Sequence, residues 1–165
     1  MSQSSTVGAD RAPDAEQIGK RFLHLLGELE RRDDLSVVKV EQATGVKLKT
    51  GQAGPFYTGE LEAGWYFLLH YVDGSPALKR GVGLEFGHHG GAPGDFAAIC
   101  TLGFREYHEQ LRAMGFRDTP TYGEIGQLID WRYHKGDIAV SVVLWPQASA
   151  NDTARACVKS IATLN

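Results

Sequence analysis

Apolar residues recur every three or four positions in the first patterned stretch of the chain, which begins at Asp14. Residues 14–17 carry a capping-box pattern, because an aspartate is followed three positions later by a glutamine. The apolar positions that follow are Ile18, Phe22, Leu25, Leu26 and Leu29. This spacing predicts an amphipathic helix that packs one face against a core.

A second helical pattern lies after residue 101. Its apolar positions are Phe104, Tyr107, Leu111 and Met114. Gly115 follows at the position where helices often end in a left-handed cap, and Phe116 is placed to contact the last turn. We therefore predict a helix that ends at Gly115.

The stretch after the first helix fits either a helix or a strand. Three valines within four positions favour a strand, whereas Ser36 is a good helix N-cap and Gly45 a good helix end. We favour a short helix that ends at Thr44. Val46 and Leu48 would then open the first strand.

Several apolar runs predict consecutive strands in the middle of the chain. Residues 56–61 and 65–72 are separated by a Glu-Ala-Gly corner, and the second run is apolar on both faces, as expected of a central strand. Residues 81–86 alternate and predict a third strand. Residues 87–95 form a glycine-rich loop, and residues 96–100 are either a strand or a helical turn.

The clearest strand pair is a hairpin near residue 135, after a polar loop that contains Pro120 and Gly123. We predict a two-residue turn at Lys135 and Gly136. In that register the core-facing pairs are Tyr133 with Ile138, Trp131 with Val140, and Ile129 with Val142. The opposite face would carry Asp130, Arg132 and His134 against Ser141, Ala139 and Asp137.

The end of the chain carries one more helical pattern, because Pro146 stops the hairpin and Asn151 or Ser149 can cap a final helix. Its inward face would be Ala154, Cys157, Val158, Ile161 and Leu164. Helices flank the strands rather than alternate with them. We therefore predict an α+β fold: a mainly antiparallel sheet of about six to seven strands, with amphipathic helices packed mostly on one face.

Length and composition fit one folded unit. The chain has 165 residues, of which 42% are hydrophobic and 22% are charged, as in ordinary globular proteins. One core of this size is stable without metals or disulfides, so we predict a single domain over residues 14–165. Residues 1–13 are small and polar and are predicted to be a mobile tail.

Charge and hydropathy exclude two classes of partner. The net charge of −3 comes from intermixed signs, which offers no basic field to a nucleic-acid backbone. The strongly apolar run at residues 65–69 is far shorter than the roughly 20 residues a membrane-spanning helix needs. The start of the chain lacks a secretory pattern, which favours the cytoplasm; a removed leader would instead imply a periplasmic or secreted protein.

Cys100 and Cys157 both lie in apolar surroundings. We interpret them as free buried thiols, although in an oxidising compartment they would be an even pair available for a disulfide. A thiol nucleophile is not supported, because His108 lies about 12 Å along a helix from Cys100.

Catalytic motifs are absent from the sequence. No serine has the Gly-x-Ser-x-Gly frame, and the glycines around Gly83 lack dinucleotide-binding spacing, so we expect no cofactor. The alternative function is a small metal-assisted hydrolase, in which His88 and His89 from the loop join His134, near Asp137, to hold a metal ion.

The best candidate site is the outward face of the hairpin. We name Asp130, Arg132, His134 and Asp137 the polar strip; Trp131, Tyr133 and Trp145 lie nearby in sequence, and aromatic and arginine residues are enriched at binding hot spots. We therefore expect a non-enzymatic module that binds another protein, of inhibitor, immunity or secretion-chaperone kind, with a possible homodimer.

A helix, several strands, a helix, a hairpin and a helix follow one another in an order that resembles small secretion chaperones. The resemblance rests on this order and on no motif.

A third possible function is that of a small-molecule binder with an apolar pocket between sheet and helix.

Overall fold

One antiparallel sheet organises the computed structural model, which describes residues 12–91, 93–146 and 156–165. Its strands are β1 (Phe56–Glu60), β2 (Trp65–Val72), β3 (Gly81–His88), β4 (Arg117–Tyr122), β5 (Leu128–Lys135), β6 (Ile138–Leu144) and β7 (Val158–Thr163). They lie in the order β1-β2-β3-β7-β6-β5-β4. The helices are α1 (Ala15–Glu28), α2 (Val37–Thr44) and α3 (Phe104–Ala113). This architecture confirms the predicted α+β fold.

The helices share one hydrophobic cluster with one face of the sheet. Every second residue of β2, beginning at Trp65, is buried, and the apolar stripes of α1 and α3 join the same cluster. Glu85, Arg132 and His134 are exposed on the opposite side, which we name the open face. The twofold repeat of a strand thus separates core from surface.

The residues predicted to cap the first two helices do so in the structure. Asp14 accepts a hydrogen bond from the Gln17 backbone N–H at 2.8 Å, and the Gln17 side chain accepts one from the Asp14 backbone at 2.9 Å. The short helix α2 is also confirmed, because Ser36 caps its start and Gly45 ends it with φ of 76°.

The predicted strand at Val46 and Leu48 is wrong. The Glu41 carboxylate accepts the Leu48 backbone N–H at 2.8 Å, so this N–H is not available to a sheet. An isolated bridge between Lys49 and Phe56 is the pairing that forms in this region. Residues 96–100 are likewise neither a strand nor a helix, but a turn and its flanks.

The polar loop predicted around Pro120 is an edge strand, β4, and the loop begins only at Gly123. Proline is tolerated at the edge of a sheet, where a missing N–H need not break a ladder. The hairpin β5–β6 forms, but its turn is Gly136-Asp137, one position later than predicted. Gly136 has φ of 59°, which favours glycine there.

The register of that hairpin corrects the predicted pairs. Tyr133 faces Val140, Trp131 faces Val142 and Arg132 faces Ser141. The correction moves each pair by two positions on β6, so the same residues still share a face. Ile129 is an exception to the predicted core, because 49% of it is exposed.

The predicted final helix is wrong. Residues Val158–Thr163 form β7, which pairs with β3 and β6 at the centre of the sheet. Val158 and Ile161 are buried in the core, while Ala162 lies on the open face opposite Gly83. The predicted caps Ser149 and Asn151, and also Ala154, lie outside the described residues.

The expectation of free thiols is also wrong, because Cys100 and Cys157 form a disulfide. Their Cα atoms are 5.2 Å apart, within the normal range for such a bond. The disulfide joins the segment before α3 to the start of β7. Ala156 next to it accepts the Phe104 backbone N–H at 2.8 Å, which seats α3 against the same segment.

Candidate functional site

Three residues of the polar strip share the open face, as predicted. Asp130, Arg132 and His134 alternate along β5, and their neighbours across β6 include Ser141 and Ala139. Arg132 and His134 are exposed, whereas Asp130 is only 5% exposed. The strip is therefore a buried carboxylate beside two accessible side chains.

Hydrogen bonds from three strands surround the Asp130 carboxylate. Its Oδ2 atom accepts the Ser141 hydroxyl at 2.6 Å and Arg132 Nε at 3.3 Å, and its Oδ1 atom accepts the Thr121 hydroxyl. Burial by itself would raise the pKa of Asp130. The bonds from Ser141 and Thr121 and the charge of Arg132 outweigh burial, so the pKa lies below its usual value.

This network has two physical effects. It ties β4, β5 and β6 together through Thr121, Asp130 and Ser141, and it holds the Arg132 guanidinium by its Nε edge. The terminal Nη atoms of Arg132 make no hydrogen bond with another described residue. Asp130 is therefore a positioning residue that presents Arg132 on the open face.

Asp137 is separate from the other members of the strip. It lies in the β5–β6 turn, where its Oδ1 atom accepts the Arg32 backbone N–H at 2.9 Å. Arg32 is buried, and its guanidinium donates to the carbonyls of Arg80 and Leu164. Burial lowers the pKa of Arg32 and the charge of Asp137 opposes this shift. Asp137 thus anchors a turn.

The aromatic residues predicted near the strip face the helices instead. Tyr133 is fully buried, and its hydroxyl lies 2.8 Å from His108 Nδ1 on α3. The Trp131 ring lies 5.4 Å from Phe104, also on α3. Trp145 packs 5.5 Å from Trp65. These rings belong to the core side, so they add no aromatic surface to the open face.

The three histidines of the metal alternative are not brought together. The strand pairing across β6 and β7 places Arg132 of β5 level with Gly83 of β3. His88 follows Gly83 toward one end of the sheet, and His134 follows Arg132 toward the opposite end. These steps separate the two histidines by about 23 Å along the strands and about 14 Å across them. No group of three potential metal ligands occurs among the described residues.

His88 and His89 have other contacts. His88 Nε2 lies 2.9 Å from the Ala63 carbonyl oxygen, and His89 Nε2 lies 3.0 Å from a Glu60 carboxylate oxygen. The pair therefore holds the β3 end of the sheet to the β1–β2 corner. It offers no geometric support for a metal-assisted hydrolase.

A groove of about 390 Å³ lies between α1 and α3. Leu23 and Leu102 contribute apolar surface to it, and Lys20 and Glu106 contribute charged groups. The groove lies between helices at the surface, which differs from the sheet–helix pocket that a small-molecule binder was expected to have.

The β4–β5 hairpin exposes three large apolar residues whose exposure the sequence did not predict. Exposure reaches 62% for Tyr122, 89% for Ile125 and 49% for Ile129. The loop between the strands is closed by hydrogen bonds from Gly123 to Gln127 and from Gly126 to Gly123. We name Tyr122, Ile125 and Ile129 the hairpin tip. Ile125, which lies between Glu124 and Gly126, is the residue whose sequence neighbours could have indicated an exposed apolar side chain.

Comparison with known proteins finds no matching family model, no matching curated protein and no matching solved structure. Among the described helices none is long and apolar enough to span a bilayer.

Proposed function

We propose that this chain is a non-catalytic protein-binding module, of inhibitor, immunity or secretion-chaperone kind, that contacts its partner with the β4–β5 hairpin. The observation that carries the proposal is the hairpin tip. Large apolar side chains clustered in water mark interaction surfaces more often than isolated ones do. Three of the five large apolar side chains that are exposed in the described residues lie in this one hairpin.

The polar strip lies on the same hairpin, although Arg132 projects from the open face and Ile129, which precedes Asp130, projects from the other. Arg132 lies on β5, in the strand that leads to the tip, and Asp130 already holds its Nε edge. A side chain fixed before binding loses less conformational entropy when a partner arrives. Arginine is one of the residues that are enriched at binding hot spots.

Site-specific photo-cross-linking in the source cells tests the proposal. A cross-linking residue is placed at Ile125, and a matched control replaces Val38, which is 60% exposed on α2 and far from the hairpin in sequence. We expect a discrete protein adduct from position 125 that position 38 does not give. Equal adducts from both positions, or none from position 125, would contradict the proposal.

A further inference from the structure

The Cys100–Cys157 disulfide joins two parts of the chain that differ in how firmly they are held. Cys157 directly precedes β7, which pairs with β3 on one side and with β6 on the other. Its carbonyl oxygen accepts the Trp145 backbone N–H at 2.9 Å, and the residue is 3% exposed. Because two strand pairings hold β7, this end of the disulfide is fixed to the centre of the sheet.

The other end of the disulfide lies in residues 93–101, which we name the strap. The strap consists of turns, bends and irregular backbone and contains no helix or strand. Its backbone makes one hydrogen bond with another part of the described chain, in which the Asp95 carbonyl oxygen accepts Trp65 Nε1–H at 3.0 Å. Backbone with few such bonds opens locally more easily than a paired strand does. The strap is therefore held less firmly than β7.

Two tryptophan rings lie beneath the strap. The Phe96 ring packs 5.4 Å from the Trp65 ring and 5.7 Å from the Trp145 ring, and the two tryptophan rings are 5.5 Å apart. Trp65 is fully buried, whereas Phe96 is partly exposed. Since Phe96 covers both tryptophan rings, movement of the strap exposes an aromatic surface.

One side of the strap borders a cavity of about 410 Å³. Ala97, Ala98 and Thr101 contribute the strap's side of this cavity, and the start of α1 and the β1–β2 corner contribute the opposite side. Side chains that line such a space lack packing partners there. The strap can therefore move on this side without first separating strands of the sheet.

The two cysteines also differ in their accessibility to a reductant. Cys100 is partly exposed, whereas Cys157 is buried. Exchange begins when a thiolate reaches one sulfur of a disulfide, so a dithiol reductant attacks Cys100 Sγ. The S–S bond breaks, and its electron pair and a proton go to Cys157 Sγ. The second thiol of the reductant then displaces Cys100 as a thiol, which leaves the reductant as a disulfide.

We propose that the Cys100–Cys157 disulfide is a redox latch, whose reduction by a dithiol releases the strap and exposes the rings of Trp65 and Trp145. The sheet stays intact, because the pairing of β7 with β3 and β6 does not include the disulfide. This inference goes beyond the proposed function, since the strap contains no residue of the polar strip or of the hairpin tip.

Acrylamide quenching of tryptophan fluorescence tests the latch, because the chain has three tryptophans. Trp131→Phe leaves Trp65 and Trp145 as reporters beneath the strap. Trp65→Phe/Trp145→Phe leaves Trp131, which packs against α3, as the matched control. On reduction by dithiothreitol in native buffer, we expect the quenching constant of the first variant to rise about three-fold, and that of the control to stay within about 1.5-fold.

Hydrogen exchange of the unchanged chain provides a second measurement that needs no substitution. On reduction, the backbone amides of the strap should lose protection by about ten-fold more than those of β7. Asp130→Asn, with the disulfide intact, serves as the control for a general loss of stability and should not raise the exchange of the strap above that of β7.

Three results would overturn the redox latch. Unchanged quenching of Trp65 and Trp145 on reduction would mean that the strap stays closed. An equal rise for the Trp131 control, or an equal loss of protection in β7, would mean that the whole fold loosens. Preferential exchange of the strap in Asp130→Asn would mean that the strap opens without reduction.

Discussion

The disulfide gives the sharpest test of the fold, because it restrains a segment that the sequence pattern assigned to a helix. Cys100 and Cys157 are separated by 57 positions. Closing a loop of that length lowers the entropy of the unfolded chain enough to stabilise the native state by about 4 kcal/mol at 25 °C. The bond also fixes the start of β7, which pairs with two strands.

The assay compares the free energy of unfolding of the oxidised chain, the reduced chain and Cys100→Ala/Cys157→Ala by denaturant titration. We expect the free energy of unfolding of the oxidised chain to exceed that of the two other forms by about 4 kcal/mol. Thiol titration should find no free thiol in the oxidised native protein. The single variant Cys100→Ala separates loop closure from packing, because Cys157 remains as a buried side chain. Equal stability in all three forms, or two free thiols in the oxidised native chain, would refute this account.

Two further changes test individual contacts. Asp130→Asn should destabilise the fold by about 1–3 kcal/mol, while Asp33→Asn should have little effect. Since the pKa of Asp130 is lowered in the folded state, its contribution is present above the unfolded pKa and is lost as pH falls through the folded pKa. The difference in free energy of unfolding between the unchanged chain and Asp130→Asn should therefore become smaller in acid. A difference that stays constant with pH would contradict the hydrogen-bond network. Gly136→Ala should lower the free energy of unfolding by about 1–2 kcal/mol, because alanine is strained at a positive φ. Gly94→Ala should lower it much less, because the space around its Cβ position is open. An equal loss of stability in both variants would contradict the turn geometry.

The parts of the fold that depend on neighbouring residues were predictable. The capping box at Asp14, the cap at Ser36 and the left-handed Gly45 act within one helical turn, so their residue types are visible in sequence. The division of β5 into two faces also follows from the period of a strand. The predicted division of β5 into two faces is correct although the predicted turn position is wrong, because the register differs by an even number of residues.

The two largest incorrect predictions, the final helix and the free thiols, concern contacts between distant parts of the chain. Val158 and Ile161 fit a helical spacing, but β3 and β6 both need a partner strand, and β7 supplies it. The disulfide depends on the same long-range placement of Cys157. A local pattern contains no information about which strand edges remain unpaired.

The candidate site was predicted in part. Asp130, Arg132 and His134 share the open face, but the buried state of Asp130 depends on Thr121 and Ser141 from two other strands. Asp137 was assigned to the strip from the predicted hairpin register. Its contact with Arg32 was not visible in the sequence, because it joins residues more than a hundred positions apart. The pairing between β5 and β6 ends at Trp131 and Val142, before Ile129, and the place where it ends is not visible in the local pattern.

The most direct test of the central claim is the affinity of the purified chain for the partner that cross-links to position 125. We expect Ile125→Ser/Arg132→Gln to weaken binding by about 30-fold or more, with the free energy of unfolding of the variant confirming that it folds. The control Val38→Ser/Arg105→Gln should bind within about two-fold of the unchanged chain. An equal loss in both double variants, or none in the first, would contradict binding through the β4–β5 hairpin.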